Sequence, residues 1–161
     1  MSNSTVKPAS GKLGVLVVGL GAVTSTFMTG VLMARKGLSK PVGAMTQYDK
    51  IRVGRGADKK YLKYSEIVPM ADLNDIVFGA WDVYPANAYQ SAIYAEVLQE
   101  KDINPVKDEL EQIVPMKAAF DKDYAKRLDG SNVMENKSRW EMTEQLREDI
   151  RNFKKEKGVE R

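Results

Sequence analysis

A glycine-rich turn between two apolar segments is the feature of this sequence best suited to chemistry. Gly19 and Gly21 match the first two glycines of the dinucleotide-binding fingerprint G-x-G-x-x-G. The first glycine allows a tight turn, and the second lets the backbone approach a pyrophosphate at the N-terminus of the following helix. Thr24 stands in place of the third glycine, and its hydroxyl or that of Ser25 is expected to donate to a phosphate. The turn therefore predicts a phosphate-binding loop.

A carboxylate at the end of a later apolar run is the candidate partner of this loop. The fingerprint expects an acidic residue about 20 residues after the loop, where it holds the ribose hydroxyls. None occurs there, but Asp82 closes the run from residue 75 to 82, and an insertion at about residues 43–70 would account for the delay. From the pattern alone two interpretations stay open. Asp82 binds ribose, or it caps the next helix beside Tyr84 and Pro85.

The composition excludes several classes of site. The 161 residues include no cysteine and no histidine, which rules out disulfides, thiolate catalysis, a Ser-His-Asp triad and Cys or His metal sites within them. Acid–base chemistry would need Asp, Glu, Lys, Tyr or a cofactor. We nominate no metal ligand. The net charge of +3 is too small to indicate nucleic-acid binding. The excess of basic residues before residue 70 is typical of solvated surface lysines, and the alternative is that it favours a phosphate-bearing ligand.

The stretch from Leu13 to Ala34 carries no charge and is long enough to cross a bilayer. Its glycines and hydroxyl residues divide it into two elements instead. Residues 14–18 are apolar and rich in β-branched valine, as in a buried strand, and apolar residues recur at helical spacing from Val23 until Gly37. The sequence thus predicts a strand, a glycine turn and a helix, and no membrane span.

The remaining elements complete an α/β pattern of the Rossmann type over residues 12–161, after a flexible lead-in at residues 1–11. A helix closed by Gly158 is followed by Val159, where a further strand of a βαβ unit is expected and is missing, so the fold is predicted to be incomplete.

The other predicted elements follow from the spacing of apolar residues. Before the last helix they are a strand at Val42–Met45, a helix over 85–101 with an apolar stripe of Tyr89, Ile93 and Val97, a short helix from Asn104 to Val114, and a polar stretch over 115–137. The last helix is opened by a capping box at Ser138, and its apolar face comprises Met142, Leu146, Ile150 and Phe153.

Five ordered segments together carry a resemblance to a known family. With them the chain resembles the N-terminal part of the myo-inositol-1-phosphate synthases, also named inositol-3-phosphate synthases, from about Lys12 onward. The segments are Leu13–Gly21, Gly43–Gln47, Ile67–Met70, Asn74–Asp82 and Asp149–Lys154.

The resemblance implies a cytoplasmic, NAD-dependent isomerase of inositol and phospholipid biosynthesis. Such enzymes convert glucose 6-phosphate to inositol phosphate by internal oxidation, aldol-like cyclisation and reduction, and NAD is recycled within each turnover. They are usually homotetramers. Their catalytic lysines and aspartates lie later in the chain, so we expect these residues to be a fragment, inactive alone, and name no catalytic residue. The alternative is a non-catalytic nucleotide-binding or regulatory module of the same fold.

The resemblance also implies individual contacts with NAD. It places the ribose carboxylate on Asp82, which would disfavour NADP by repelling its 2′-phosphate. It assigns cofactor contacts to Arg147 and Glu144, which would otherwise be an ordinary i,i+3 surface pair. After Gly21 the sequence departs from the family's commoner glycine- and asparagine-rich loop, so the side-chain contacts of those asparagines do not carry over, whereas the backbone contacts can. The implied phosphate loop comprises Gly19, Gly21, Ala22, Val23, Thr24 and Ser25.

Overall fold

Strands alternate with helices along most of the chain, which makes the fold α/β, as the sequence predicts. The computed structural model describes residues 10–161, so most of the predicted lead-in lies outside the described residues. The strands are β1 (Leu13–Val18), β2 (Lys50–Val53), β3 (Lys60–Lys63), β4 (Ile76–Asp82) and β5 (Met116–Lys117). The helices are α1 (Ala22–Arg35), α2 (Met45–Tyr48), α3 (Tyr64–Ile67), α4 (Ala88–Ala95), α5 (Glu100–Ile103), α6 (Lys107–Glu111) and α7 (Arg139–Lys157).

A parallel sheet of order β1-β4-β5 is the centre of the Rossmann-type fold. β1 pairs with β4 over its whole length, with Val18 opposite Trp81, so both strands end at the same edge of the sheet. On the other side of β1, Lys12 forms a parallel bridge with Val159, and the N–H of Gly14 donates to the carbonyl of Arg161 at 2.8 Å. The residues after α7 therefore begin to pair beside β1, but within residues 10–161 they form an isolated bridge and not a further strand of the sheet.

The candidate membrane segment is divided between β1 and α1, as predicted. The buried face of α1 includes Met28 and Leu32, which join Phe78 and Ala80 of β4 in the core. α1 also packs against α4. Within residues 10–161, no helix combines the length and the apolar character needed to cross a membrane.

The long helix α7 lies against the sheet through an aromatic ring placed over glycines. A Cβ at Gly14 would lie 2.9 Å from Phe153, and one at Gly79 would lie 2.8 Å from the same ring. The two glycines belong to neighbouring strands, so their missing side chains allow the ring to approach closely. The predicted capping box at Ser138 is confirmed, and the helix ends at Gly158, whose φ of 62° is left-handed.

Three predicted elements are wrong in detail. Residues Val42–Met45 form a turn followed by the first residue of α2, and the nearby strands β2 and β3 instead pair with each other as an antiparallel hairpin. The helix predicted over 85–101 begins at Ala88 and ends at Ala95, because Glu96 adopts a left-handed φ of 51°. Val97 and, on α7, Ile150 are exposed rather than part of apolar stripes.

Candidate functional site

A cleft of about 1000 Å³ lies at the carboxyl ends of β1 and β4. Ligands of parallel α/β sheets bind at this edge. The glycine loop and Asp82 form part of the cleft, and its other walls are largely apolar. Residues lining it include Val18, Gly19, Leu20, Gly21, Ala22, Trp81, Asp82, Tyr84, Pro85, Tyr94, Ala118, Phe120 and Leu128.

The glycine loop is held by hydrogen bonds on its protein side and open on the other. The N–H of Gly19 donates to the Trp81 carbonyl at 2.8 Å, and the Thr24 hydroxyl donates to the Gly19 carbonyl at 2.8 Å. Gly19 has a φ of 94°, which favours glycine. A Cβ built at Gly19 or Gly21 would meet nothing within 4 Å, so the two glycines leave room beside the backbone for a ligand.

The N-terminus of α1 faces this space without a cap. Its N-cap residue is Gly21, which has no side chain, and its first turn contains no acidic residue. The first backbone N–H that bonds within the helix is that of Ser25, which donates to the Gly21 carbonyl at 2.9 Å. The N–H groups before it and the helix dipole therefore present positive potential suited to an anion such as pyrophosphate.

Asp82 lies beside the loop and accepts two backbone hydrogen bonds. Its Oδ2 accepts from the N–H of Leu20, and its Oδ1 accepts from the N–H of Tyr84 at 2.8 Å. The cap of α4 is Asn87, whose Oδ1 accepts from the N–H of Gln90 at 2.9 Å. The interpretation of Asp82 as the cap of the next helix is therefore wrong. Its contact with ribose stays a prediction.

The two hydroxyl groups predicted to contact phosphate both donate to carbonyls of the protein itself. Thr24 donates to Gly19, as described, and the Ser25 hydroxyl donates to the Ala22 carbonyl at 3.3 Å. Ser25 is also fully buried. In this structure the loop therefore offers an anion its backbone N–H groups rather than these hydroxyls. Ala22 and Val23 are exposed at the loop.

The two residues of α7 that are predicted to contact the cofactor bind each other. The Arg147 guanidinium donates to the Glu144 carboxylate at 2.9 Å, and neither residue lines the cleft. α7 approaches the end of β4 through Asp149, which accepts from the Trp81 indole N–H at 2.9 Å. The structure brings Asp82 to the loop, whereas the roles of Glu144 and Arg147 stay predictions.

Asn132 is a positioning residue that the sequence reasoning missed. Its side-chain amide donates to the carbonyl of Asp82 at 2.9 Å and to that of Met116 at 3.1 Å, so it ties the ends of β4 and β5 together. The preceding turn fits tightly, since a Cβ at Gly130 would lie 2.2 Å from the Val83 carbonyl oxygen. The Asp-Gly turn before Asn132 was the only sequence signal, and it indicated a loop rather than this contact.

Comparisons with known proteins agree on one family. Residues 13–161 match a family model for NAD binding described as "Myo-inositol-1-phosphate synthase". The chain is 56% identical to inositol-3-phosphate synthase 1 of Bacteroides thetaiotaomicron over 157 residues, which are 97% of this chain and 36% of that protein. It is 33% identical to inositol-3-phosphate synthase 1 of Oryza sativa subsp. japonica, covering 93% of this chain and 32% of that one.

A solved structure gives the same result. The crystal structure of inositol-3-phosphate synthase from Caenorhabditis elegans matches with a TM-score of 0.80 at 26% identity, over 96% of this chain and 33% of that chain. The chain thus spans about a third of the length of these relatives.

Proposed function

The chain belongs to the myo-inositol-1-phosphate synthase family, and from this premise we propose that it forms the NAD-binding part of an enzyme converting glucose 6-phosphate to myo-inositol phosphate. The cofactor of this family domain is NAD. The observation that carries the proposal is the open N-terminus of α1 beside the two glycines, with Asp82 next to them. The residues present fit a dinucleotide, because the cleft is large and its walls are mostly apolar.

Each part of the site has a separate task in this proposal. The backbone N–H groups at the start of α1 hold the pyrophosphate, and Gly19 and Gly21 leave it room. The lone pairs of Asp82 that Leu20 and Tyr84 do not use accept from ribose hydroxyls. When bound, NAD supplies a hydride acceptor and donor, which no amino-acid side chain can provide.

The proposal extends beyond these residues through the family resemblance. Glu144 and Arg147 contact the cofactor once the pair between them opens. The whole enzyme is a cytoplasmic homotetramer of inositol and phospholipid biosynthesis, and its catalytic lysines and aspartates lie outside the 161 residues. This chain alone is therefore expected to bind NAD without catalysing the isomerisation.

Calorimetric titration of the 161-residue chain with NAD⁺ and NADP⁺ tests the proposal, after circular dichroism has shown that the chain is folded. We expect NAD⁺ to bind at least about tenfold more tightly than NADP⁺, because the Asp82 carboxylate repels a 2′-phosphate at short range. A folded chain that binds neither dinucleotide, or that prefers NADP⁺, would overturn the proposal.

A further inference from the structure

We infer that Asp82 is a positioning residue for the glycine loop, in addition to the ribose contact proposed above. The inference rests on the proposed function and adds a second task for the same carboxylate. Its basis is the hydrogen bond from the Leu20 N–H to Asp82 Oδ2, which joins residues 62 positions apart in the chain. Leu20 is the residue between the two glycines, so this bond holds the centre of the loop.

The surroundings of Leu20 show how this bond fixes the loop together with core packing. The Leu20 side chain is buried in the core, and Gly19 before it donates to Trp81 as a continuation of the β1–β4 pairing. Gly21 after it is exposed and has no side chain to fix it. The chain therefore turns from β1 into α1 at a point held on one side by packing and on the other by Asp82.

A fixed loop matters for affinity because glycine loses more conformational freedom on ordering than any other residue. A loop that is already ordered spares the ligand this entropic cost, whereas a loop released from Asp82 would have to be ordered on binding. The effect reaches the phosphate part of the ligand even though Asp82 does not need to touch a phosphate. A carboxylate near an anion site is otherwise unfavourable, and accepting two N–H groups offsets that cost.

The charge and shape of the carboxylate both matter for this task. Asp82 offers one acceptor oxygen to Leu20 and the other to Tyr84. An asparagine of the same size has one oxygen and one NH₂ group, so it would point a donor at one of the two N–H groups. Asp82→Asn should therefore break one of these two hydrogen bonds without leaving a cavity.

The test separates the two tasks by removing the ribose hydroxyls from the ligand. The probes are ADP and 2′,3′-dideoxy-ADP, whose dissociation constants are measured by ligand-observed NMR on the 161-residue chain and on Asp82→Ala and Asp82→Asn. We expect both variants to bind dideoxy-ADP at least about fivefold more weakly than the unmodified chain, the loss typical of one hydrogen bond. Binding of ADP should fall further, since it also loses the ribose contact.

The matched control is Asp108→Ala, which removes an exposed carboxylate of α6 that does not line the cleft and should leave both dissociation constants unchanged. If dideoxy-ADP binds the Asp82 variants as tightly as the unmodified chain while ADP binding falls, the positioning role is overturned and the ribose contact stands. If the unmodified chain binds neither ADP nor NAD⁺, the proposed function itself fails. Asp82→Asn keeps the test decisive should Asp82→Ala not fold.

Discussion

The two longest helices, α1 and α7, begin in opposite ways. α7 starts with a complete capping box, in which the Ser138 hydroxyl accepts from the Glu141 N–H and the Glu141 carboxylate accepts from the Ser138 N–H at 2.8 Å. α1 starts at Gly21, with no side chain to accept from its N–H groups. The first turn of α7 is thus satisfied by side chains of the protein itself, whereas the first turn of α1 leaves N–H groups available to an anion.

α1 has no side-chain cap at its start, but side-chain hydrogen bonds hold its other end. The Arg35 guanidinium donates through Nε to the Leu73 carbonyl at 2.6 Å and through Nη2 to the Ile76 carbonyl, at the beginning of β4. Arg35 also lies 5.7 Å from the centre of the Phe78 ring. α1 is therefore anchored to β4 at the end remote from the cleft, and its open N-terminus is kept in place by that anchor and by core packing.

Capping α1 should produce the largest effect. Gly21→Asp places a carboxylate at the N-cap, where nothing lies within 4 Å of its Cβ. We expect NAD⁺ affinity to fall at least about 100-fold, because two anions would compete for the same N–H groups. Stability should rise by roughly 0.3–1 kcal/mol, because the carboxylate caps the helix and interacts with its dipole. Calorimetry and urea unfolding measure the two effects.

Gly21→Ala is the matched control, since it adds the Cβ without the charge. It should weaken NAD⁺ binding by much less than Gly21→Asp. Equal losses in the two variants would mean that space rather than the open N-terminus governs binding. Unchanged affinity in Gly21→Asp would contradict the contrast between the two helices.

Removing the cap of α7 should lower stability and leave NAD⁺ affinity nearly unchanged. The effect should be smaller than the loss of affinity in Gly21→Asp. Ser138→Ala leaves the Glu141 N–H without its acceptor and should lower the free energy of unfolding by about 1 kcal/mol. NAD⁺ affinity should stay within about twofold, because Ser138 does not line the cleft. Urea unfolding and calorimetry on the same preparation measure both quantities. A large loss of affinity at unchanged stability would contradict this, because it would mean that the cap at the start of α7 supports the site.

The smallest expected effect is the pH dependence that Glu141 of α7 contributes to stability. The Ser138 hydroxyl and backbone N–H donate to Glu141 and hold the pKa of that carboxyl below its ordinary value. Because the pKa is lower in the folded state, the contribution is fully present above the unfolded pKa and is lost as the pH falls through the folded pKa. As the pH is lowered from about 6 to about 3, the Glu141→Gln variant should therefore lose less stability than the unmodified chain. If the urea midpoints of the two chains fell by the same amount over this pH range, the prediction would be contradicted.

The parts of the fold with local signals could be predicted from the sequence. A β-branched run, two glycines and a helical repeat were enough for β1, the loop and α1, and the Ser138 pattern was enough for the start of α7. The hairpin of β2 and β3 was not predicted, because both strands are exposed at almost every residue and so carry no apolar run. They are stabilised by pairing with each other.

The site was predictable only where it follows the fingerprint. The loop and Asp82 come together as expected, because parallel strands end at the same edge of the sheet. The position of Asn132 depends on a loop of more than a dozen residues folding back onto β4, which no periodicity encodes. The Ser25 hydroxyl was assigned to phosphate from its place in the motif, but the rotation of α1 directs it into the core.

The bridge between Lys12 and Val159 also bears on how the chain acquires its structure during synthesis. At about 5–20 residues per second, roughly 7–30 seconds separate the translation of these two residues. Throughout that interval one edge of β1 has no partner, although the strand is among the most apolar in the protein. An apolar strand with an open edge is prone to associate with other chains. We therefore expect β1 to need protection by chaperones that bind nascent chains until Val159 has been synthesised.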